Sequence, residues 1–189
     1  MIYNISSPNC KLAKSEKIII DTNILLMVFY SPYIQQGKTY KQNYQNFFYR
    51  CINNKMNLYT TQGNIREALH VIDNISLSIY NIQNKTDLDL KQYHKIEAEV
   101  IKVHKDMDIF YKCVSGAINI ISNEDIDKWI NDYFNATNSL DLYDYDLIIT
   151  AKQNKITNIL TDDSDFVSDM NLISGLNLLS QNSKILNVS

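Results

Sequence analysis

The stretch KIIIDTNILLMVFY, residues 17–30, sets Asp21 inside an otherwise apolar run. An unpaired carboxylate buried there costs several kcal/mol or shifts to its neutral form. Either the chain turns towards water at Asp21, or the charge has a partner. Two other groups of acids stand in comparable places: Asp144 and Asp146 in SLDLYDYDLIITAK, and Asp162, Asp163 and Asp165 after NILT. Each alone can cap a helix, because a carboxylate accepts the orphan N–H groups of a first turn and suits the helix dipole. Converging at one place, they repel unless protonated or bridged by a cation. Magnesium and manganese favour such oxygen ligands and keep waters available for chemistry.

The elements that must position these acids alternate. Lys17–Ile20 reads as a strand ending at Asp21, with Thr22 and Asn23 suited to a helix start and residues 24–30 as that helix. Further strands are expected at Asn57–Thr61, Ala117–Ile121, 157–161 and 175–179. Helices are expected around Ile65, Ala68, Leu69 and Ile72, over 144–154, and after a capping box of Ser122 and Asp125, with Ile126, Trp129, Ile130 and Tyr133 on its apolar stripe. This alternation predicts an α/β protein of three layers, α/β/α, around a central parallel sheet.

In such a sheet, ligands bind beyond the carboxyl ends of the strands, where strand order reverses. Asp21 and the 162–165 acids follow strand ends directly. At about 100° per residue, Asp144 shares the core-facing stripe of its helix with Leu147, Ile148 and Ala151, while Asp146 points the opposite way and should be solvated.

Over 76–115 the alternation breaks into an enlarged helical region. There Tyr93, Ile96, Val100, Val103, Met107, Phe110 and Val114 follow the spacing of one long amphipathic helix. A helical hairpin packed on its own domain is favoured over an oligomer surface. No linker or repeat divides residues 1–189, which read as a single domain.

The formal net charge of −3 does not announce a nucleic-acid binder, although it leaves room for an enzyme that meets phosphate through cations. The only arginines are Arg50 and Arg66. Cys10, Cys51 and Cys113 fit neither a disulfide framework nor a C-x-x-C site and suggest a reducing compartment. The first residues lack a signal-peptide pattern, and no run approaches the roughly 20 apolar residues of a membrane span. A soluble, cytoplasmic protein without membrane contact is expected.

Three stretches taken in order, IIIDTNILL, TTQGNIREALHVI and DYDLIITAKQNKITNILTDDSDF, resemble the PIN-domain ribonucleases, including toxins of the VapC type. The resemblance spans most of residues 17–180 and implies hydrolysis of RNA phosphodiester bonds with Mg2+ or Mn2+. Carried over by position, it implies Asp21, Glu67, Asp144 and Asp163 as catalytic acids. Metal would be held by Asp21, Asp144, Asp163 and Asp165, with Asn23, Thr161 and Arg66 against substrate. It also implies an antitoxin or other protein partner and raises the option of a homodimer.

Asp146 rivals Asp144, and Asp162 and Asp165 rival Asp163. Glu67 lies off the apolar stripe of its helix, where a glutamate is ordinarily solvated. Arg50, Lys55 and Arg66, with Lys38 and Lys41 from the loop before, are candidate contacts to RNA. His70, His94 and His104 show no ligand or triad spacing. The competing reading is a PIN-like module that binds RNA or protein without cutting it. A haloacid dehalogenase-like domain would need D-x-D-x-T where Asp21-Thr22-Asn23 stands, and the DDSDF stretch lacks the glycine and glutamate of an EF-hand loop.

Overall fold

The computed structural model describes all residues except 8, 9, 11, 14, 34–37, 123–132, 135–139 and 189. Its strands are β1 (Ile2–Asn4), β2 (Lys17–Ile20), β3 (Asn57–Thr61), β4 (Asn119–Ile121), β5 (Asn158–Leu160) and β6 (Asn177–Ser180). They form a six-stranded sheet in the order β1-β6-β5-β2-β3-β4, every pair parallel. The helices are α1 (Thr22–Phe29), α2 (Lys38–Asn53), α3 (Gln62–Asn84), α4 (Leu90–Tyr93), α5 (Glu97–Ala117), α6 (Leu142–Gln153) and α7 (Ser183–Leu186), with a 3-10 turn at Ser164–Val167.

A parallel strand in mid-sheet is covered on both faces and needs apolar residues at every position. Ile18, Ile19 and Ile20 of β2 are accordingly all at 0% exposure. Ile18 and Ile20, with Leu58, Leu160 and Leu179, face a core built from α1, α2, α3 and α5. Ile19, Ile159 and Leu178 face a second core built from Leu147, Ile148 and Ala151 of α6, Phe166, and Ile185 of α7. Three layers follow, as the alternation of elements predicts.

Three elements differ from the sequence-based expectation. β1, only three residues long, pairs with β6 at the sheet edge and was not foreseen. Lys38 and Lys41 belong to α2, not to a loop. Tyr44, Phe47, Phe48 and Cys51, with Tyr40 one turn before, bury a helical stripe that explains α2. The long helix expected from Tyr93 onward is broken. Asp89 and Gln92 form a capping box that starts the one-turn α4, and α5 begins only at Glu97, with Glu97 and Glu99 suiting its positive N-terminus. Asp125, Ile126, Trp129 and Ile130 lie outside the described residues. Tyr133 is helical and its ring meets that of Tyr145 with centroids 5.3 Å apart.

The 76–115 region is a hairpin of α3 and α5 packed on its own domain. Val103, Phe110 and Val114 are buried in the same core as Ile24 and Ile72. His94, at the end of α4, ties the connection between the two helices back to α3 through both carboxylate oxygens of the buried Asp73, at 2.9 and 3.0 Å. Phe110→Ala should therefore destabilise the whole protein by about 3–5 kcal/mol. In urea titrations followed by circular dichroism and tyrosine fluorescence, one common transition should move to lower denaturant. A separate early transition for the hairpin would contradict this packing.

Candidate functional site

β2 is the first strand of the central series. The chain fills β3 and β4 on one side of it, then crosses to β5 and β6 on the other. The crevice between β2 and β5 at their carboxyl ends is thus where strand order reverses. The register pairs Ile20 with Leu160, and the Asp21 N–H donates to the Leu160 carbonyl at 3.0 Å. Asp21 and Thr161 therefore leave the sheet side by side.

Asp21 is 4% exposed. It caps α1, with its carboxylate accepting from the Thr22 N–H at 2.6 Å and from the Thr161 hydroxyl at 2.8 Å. The same Thr161 oxygen accepts from the Asp163 N–H at 2.9 Å, so one hydroxyl fixes both acidic residues. Asp163 caps the 3-10 turn by accepting from the Asp165 N–H at 2.9 Å. On the other side, the Thr22 hydroxyl donates to Glu67 Oε2. Glu67 is half-buried here, contrary to the expectation of a solvated helix glutamate, because α1 covers that flank of α3. Asp144, half-buried in the first turn of α6, completes the group.

The electrostatics bind these residues into one set. Burial and the charges of Glu67 and Asp163 raise Asp21 far above the carboxylate range, against the lowering effect of its two hydrogen bonds. Burial followed by Asp21, Asp141, Asp163 and Glu67 raises Asp144 in the same way. Glu67 is raised by burial, then by Asp141 and Asp163; Asp163 is raised by burial, then by Asp165 and Asp141. The charges acting most strongly on these four acids are all those of other carboxylates.

The rivals separate. Asp162 accepts hydroxyl hydrogen bonds from Tyr40 and, at 2.7 Å, from Tyr44, so its carboxylate belongs to α2. Asp165 is exposed at the rim. Asp146 is half-buried, not solvated as expected. Its Oδ2 lies where a Cβ on Gly63 would approach to 2.8 Å, so the missing side chain of Gly63 admits it to the first turn of α3. The physical reason is local: the first turn of α3 lies against α6 at Asp146 and covers a position that the core stripe of α6 leaves uncovered.

Of the candidate cations, Arg66 is exposed on α3. Arg50 donates to the Ile5 carbonyl at 2.8 Å and stacks over Phe47. Lys55, two residues before β3, stands at the opposite, amino edge of the sheet. Lys41 donates to carbonyls in the turn after α1.

Sequence reasoning missed Asp141, Tyr33, Tyr40 and Tyr44. Asp141 caps α6 by accepting from the N–H groups of Tyr143 and Asp144 at 2.8 and 2.9 Å, and its place three residues before Asp144 is a readable capping signal. The tyrosines sit in a stretch without a motif. Tyr33 is buried, its hydroxyl donates to Asn23 Oδ1, and the charges of Asp21, Asp162, Glu67 and Asp163 act on it.

The donor set suits a hard divalent cation, since it consists of carboxylate oxygens around a crevice. Among the described residues, however, no three Asp, Glu, His or Cys side chains are drawn together tightly enough to hold an ion as they stand. Asp21, Glu67 and Asp163 are tethered instead by hydroxyl or backbone donors. Fold and site together define a doubly wound α/β protein with a carboxylate cluster at its switch point. The sequence matches no protein-family model, and no curated protein is similar enough to be matched.

A carboxyl group whose folded pKa is raised contributes stability that is complete below its unfolded value, about 4, and is lost as pH rises. Removing the Asp144 charge should relieve that loss. In EDTA at about pH 8, Asp144→Asn should gain about 1–2 kcal/mol, or roughly 2–8 °C in Tm for a chain of this length. By about pH 4 the gain should vanish. Calorimetric scans of both proteins across that range check it, and a gain independent of pH would point to packing, not charge.

Proposed function

We propose that this chain is a PIN-like ribonuclease that hydrolyses RNA phosphodiester bonds with the help of Mg2+ or Mn2+. The observation that carries the reading is Asp21: a carboxylate almost without solvent access, at the switch point, surrounded by acids that raise its pKa. A fold has no structural need for four mutually repelling carboxylates in one crevice, and such costs concentrate at functional sites.

Asp21, Asp144 and Asp163 would hold the ion, with Glu67 joined to them through Thr22 and Asp165 at the rim. The chemistry supplied by such an ion is acidification of water and neutralisation of charge on the phosphate. The chain's own residues prepare the site. Thr161 locks the Asp21 carboxylate and the Asp163 backbone in one relative position. The Thr22 N–H fixes the other Asp21 oxygen. Tyr40 and Tyr44 hold Asp162 out of the acid set. Arg66, exposed on α3, would meet the RNA backbone outside the crevice.

A second reading, a non-catalytic module for RNA or protein, is favoured by the loose spacing of the acids. Titration calorimetry with manganese separates the two, since the second reading requires no divalent binding.

Asp21→Asn keeps a good N-cap and should fold. Its cleavage of single-stranded RNA in magnesium or manganese should fall by roughly 100-fold or more, beyond the loss usual for an outer-sphere partner. EDTA should abolish wild-type cleavage. Equal rates for wild type and Asp21→Asn, read on denaturing gels, would sink the assignment.

A further inference from the structure

Tyr33 is 2% exposed, just beyond the C-terminus of α1. Its hydroxyl donates to Asn23 Oδ1 at 2.7 Å, reaching back across the helix it follows. The turn that carries it is held from behind. Lys41 Nζ donates to the carbonyls of Tyr30, Ser31 and Tyr33 at 3.4, 3.3 and 3.5 Å, placing a cation where the helix dipole is negative. Burial and the nearby charges of Asp21, Asp162, Glu67 and Asp163 keep the phenol protonated and hence a donor.

An asparagine amide has one acceptor end and one donor end. With Oδ1 taken by Tyr33, the two N–H bonds of Asn23 are the end left over, and among the described residues they meet no acceptor. Asn23 is half-buried and two residues from Asp21. This neutral donor group, without a protein acceptor among the described residues, stands beside a set of carboxylates. Neutrality matters: a lysine there would pair with the acids and compete for them with a divalent ion, whereas an amide can approach a phosphate oxygen without disturbing them.

We propose that Tyr33 is a positioning residue, whose hydroxyl orients the Asn23 amide so that its NH2 group donates to a phosphate oxygen of the RNA substrate. The phosphate half of this inference rests on the ribonuclease reading; the orienting half does not. Without the hydroxyl, the amide is free to turn its carbonyl oxygen outward, where it repels phosphate.

The test combines Tyr33→Phe, which keeps the ring and its packing, with Asn23→Ala. On a single-stranded RNA oligonucleotide in manganese, Tyr33→Phe should raise KM by roughly 3- to 10-fold with kcat nearly unchanged, the size of one lost hydrogen bond. Asn23→Ala should do the same, and the double variant should be no worse than Asn23→Ala alone. Additive effects would overturn the inference while leaving the ribonuclease reading intact. A readout independent of cleavage is the side-chain NH2 signal of Asn23 in protein labelled with 15N-asparagine, assigned by its loss in Asn23→Ala. In metal-free Tyr33→Phe that signal should shift and broaden; an unchanged signal in folded protein overturns the orienting role. If the signal moves but wild type leaves RNA uncut, the ribonuclease reading and the phosphate contact fall together, and the orienting role stands.

Discussion

The parallel pairing of β2 with β5 governs everything at the acid edge. Ile20 stands opposite Leu160, and from that register Asp21 and Thr161 emerge as neighbours. A slip of one residue would exchange the two faces of β2, moving Ile19 into the core now filled by Ile18 and Ile20. All three isoleucines are fully buried and Lys17 before them is exposed. A slip that drew Lys17 into a covered position would oppose burial, so the end of the apolar run enforces the register. Hydrophobic burial, which has no direction of its own, thereby fixes a polar contact to within hydrogen-bonding distance.

That contact is what allows the carboxylates to coexist. Asp21 receives one backbone and one hydroxyl donor, and the first turn of α1 adds its dipole, yet burial and neighbouring charge still outweigh these in its pKa. Two threonines do most of the linking. Thr161 joins Asp21 to Asp163, and Thr22 joins the start of α1 to Glu67. Around them the polar groups are satisfied locally. Thr61 exchanges hydrogen bonds with Asn64, whose amide also reaches the Ile20 carbonyl, so β2, β3 and α3 are tied together just beneath the acids.

What was legible in the sequence follows from the same physics. Buried parallel strands read as short apolar runs, and an acid closing such a run stands out, so β2, β5 and Asp21 were recoverable from pattern alone. β1 was not, because three residues with a polar Asn4 carry no pattern, and its pairing with β6 is fixed by contacts about 175 residues away. α2 carried a helical stripe of Tyr44, Phe47, Phe48 and Cys51, hidden by the many polar residues between them. Asp144 and Asp146 show the limit of a helical wheel. The wheel correctly turned Asp144 away from ordinary solvent exposure, yet it assumed an open opposite face, and α3 closes that face over Asp146. Glu67 failed for the same reason, since a stripe on one helix says nothing about a neighbouring helix over its flank.

Asp162 and Asp163 are adjacent in the chain and serve different partners, and backbone geometry explains how. The chain stays extended through Asp163, at φ −83° and ψ 121°, and successive side chains of an extended chain point to opposite sides. Thr161 and Asp163 therefore turn towards Asp21, while Asp162 turns towards α2. There two tyrosines meet its carboxylate and Asn182 donates to its carbonyl at 2.6 Å. Neutral phenols suit this place better than lysines. They satisfy Asp162 and stiffen the segment that carries Asp163, and they bring no positive charge that could neutralise the acids across the crevice. The same choice recurs at Tyr33, while Lys41 in α2 is spent on backbone carbonyls. The acid edge thus keeps its negative field because the fold supplies its hydrogen bonds from hydroxyls, amides and backbone N–H groups.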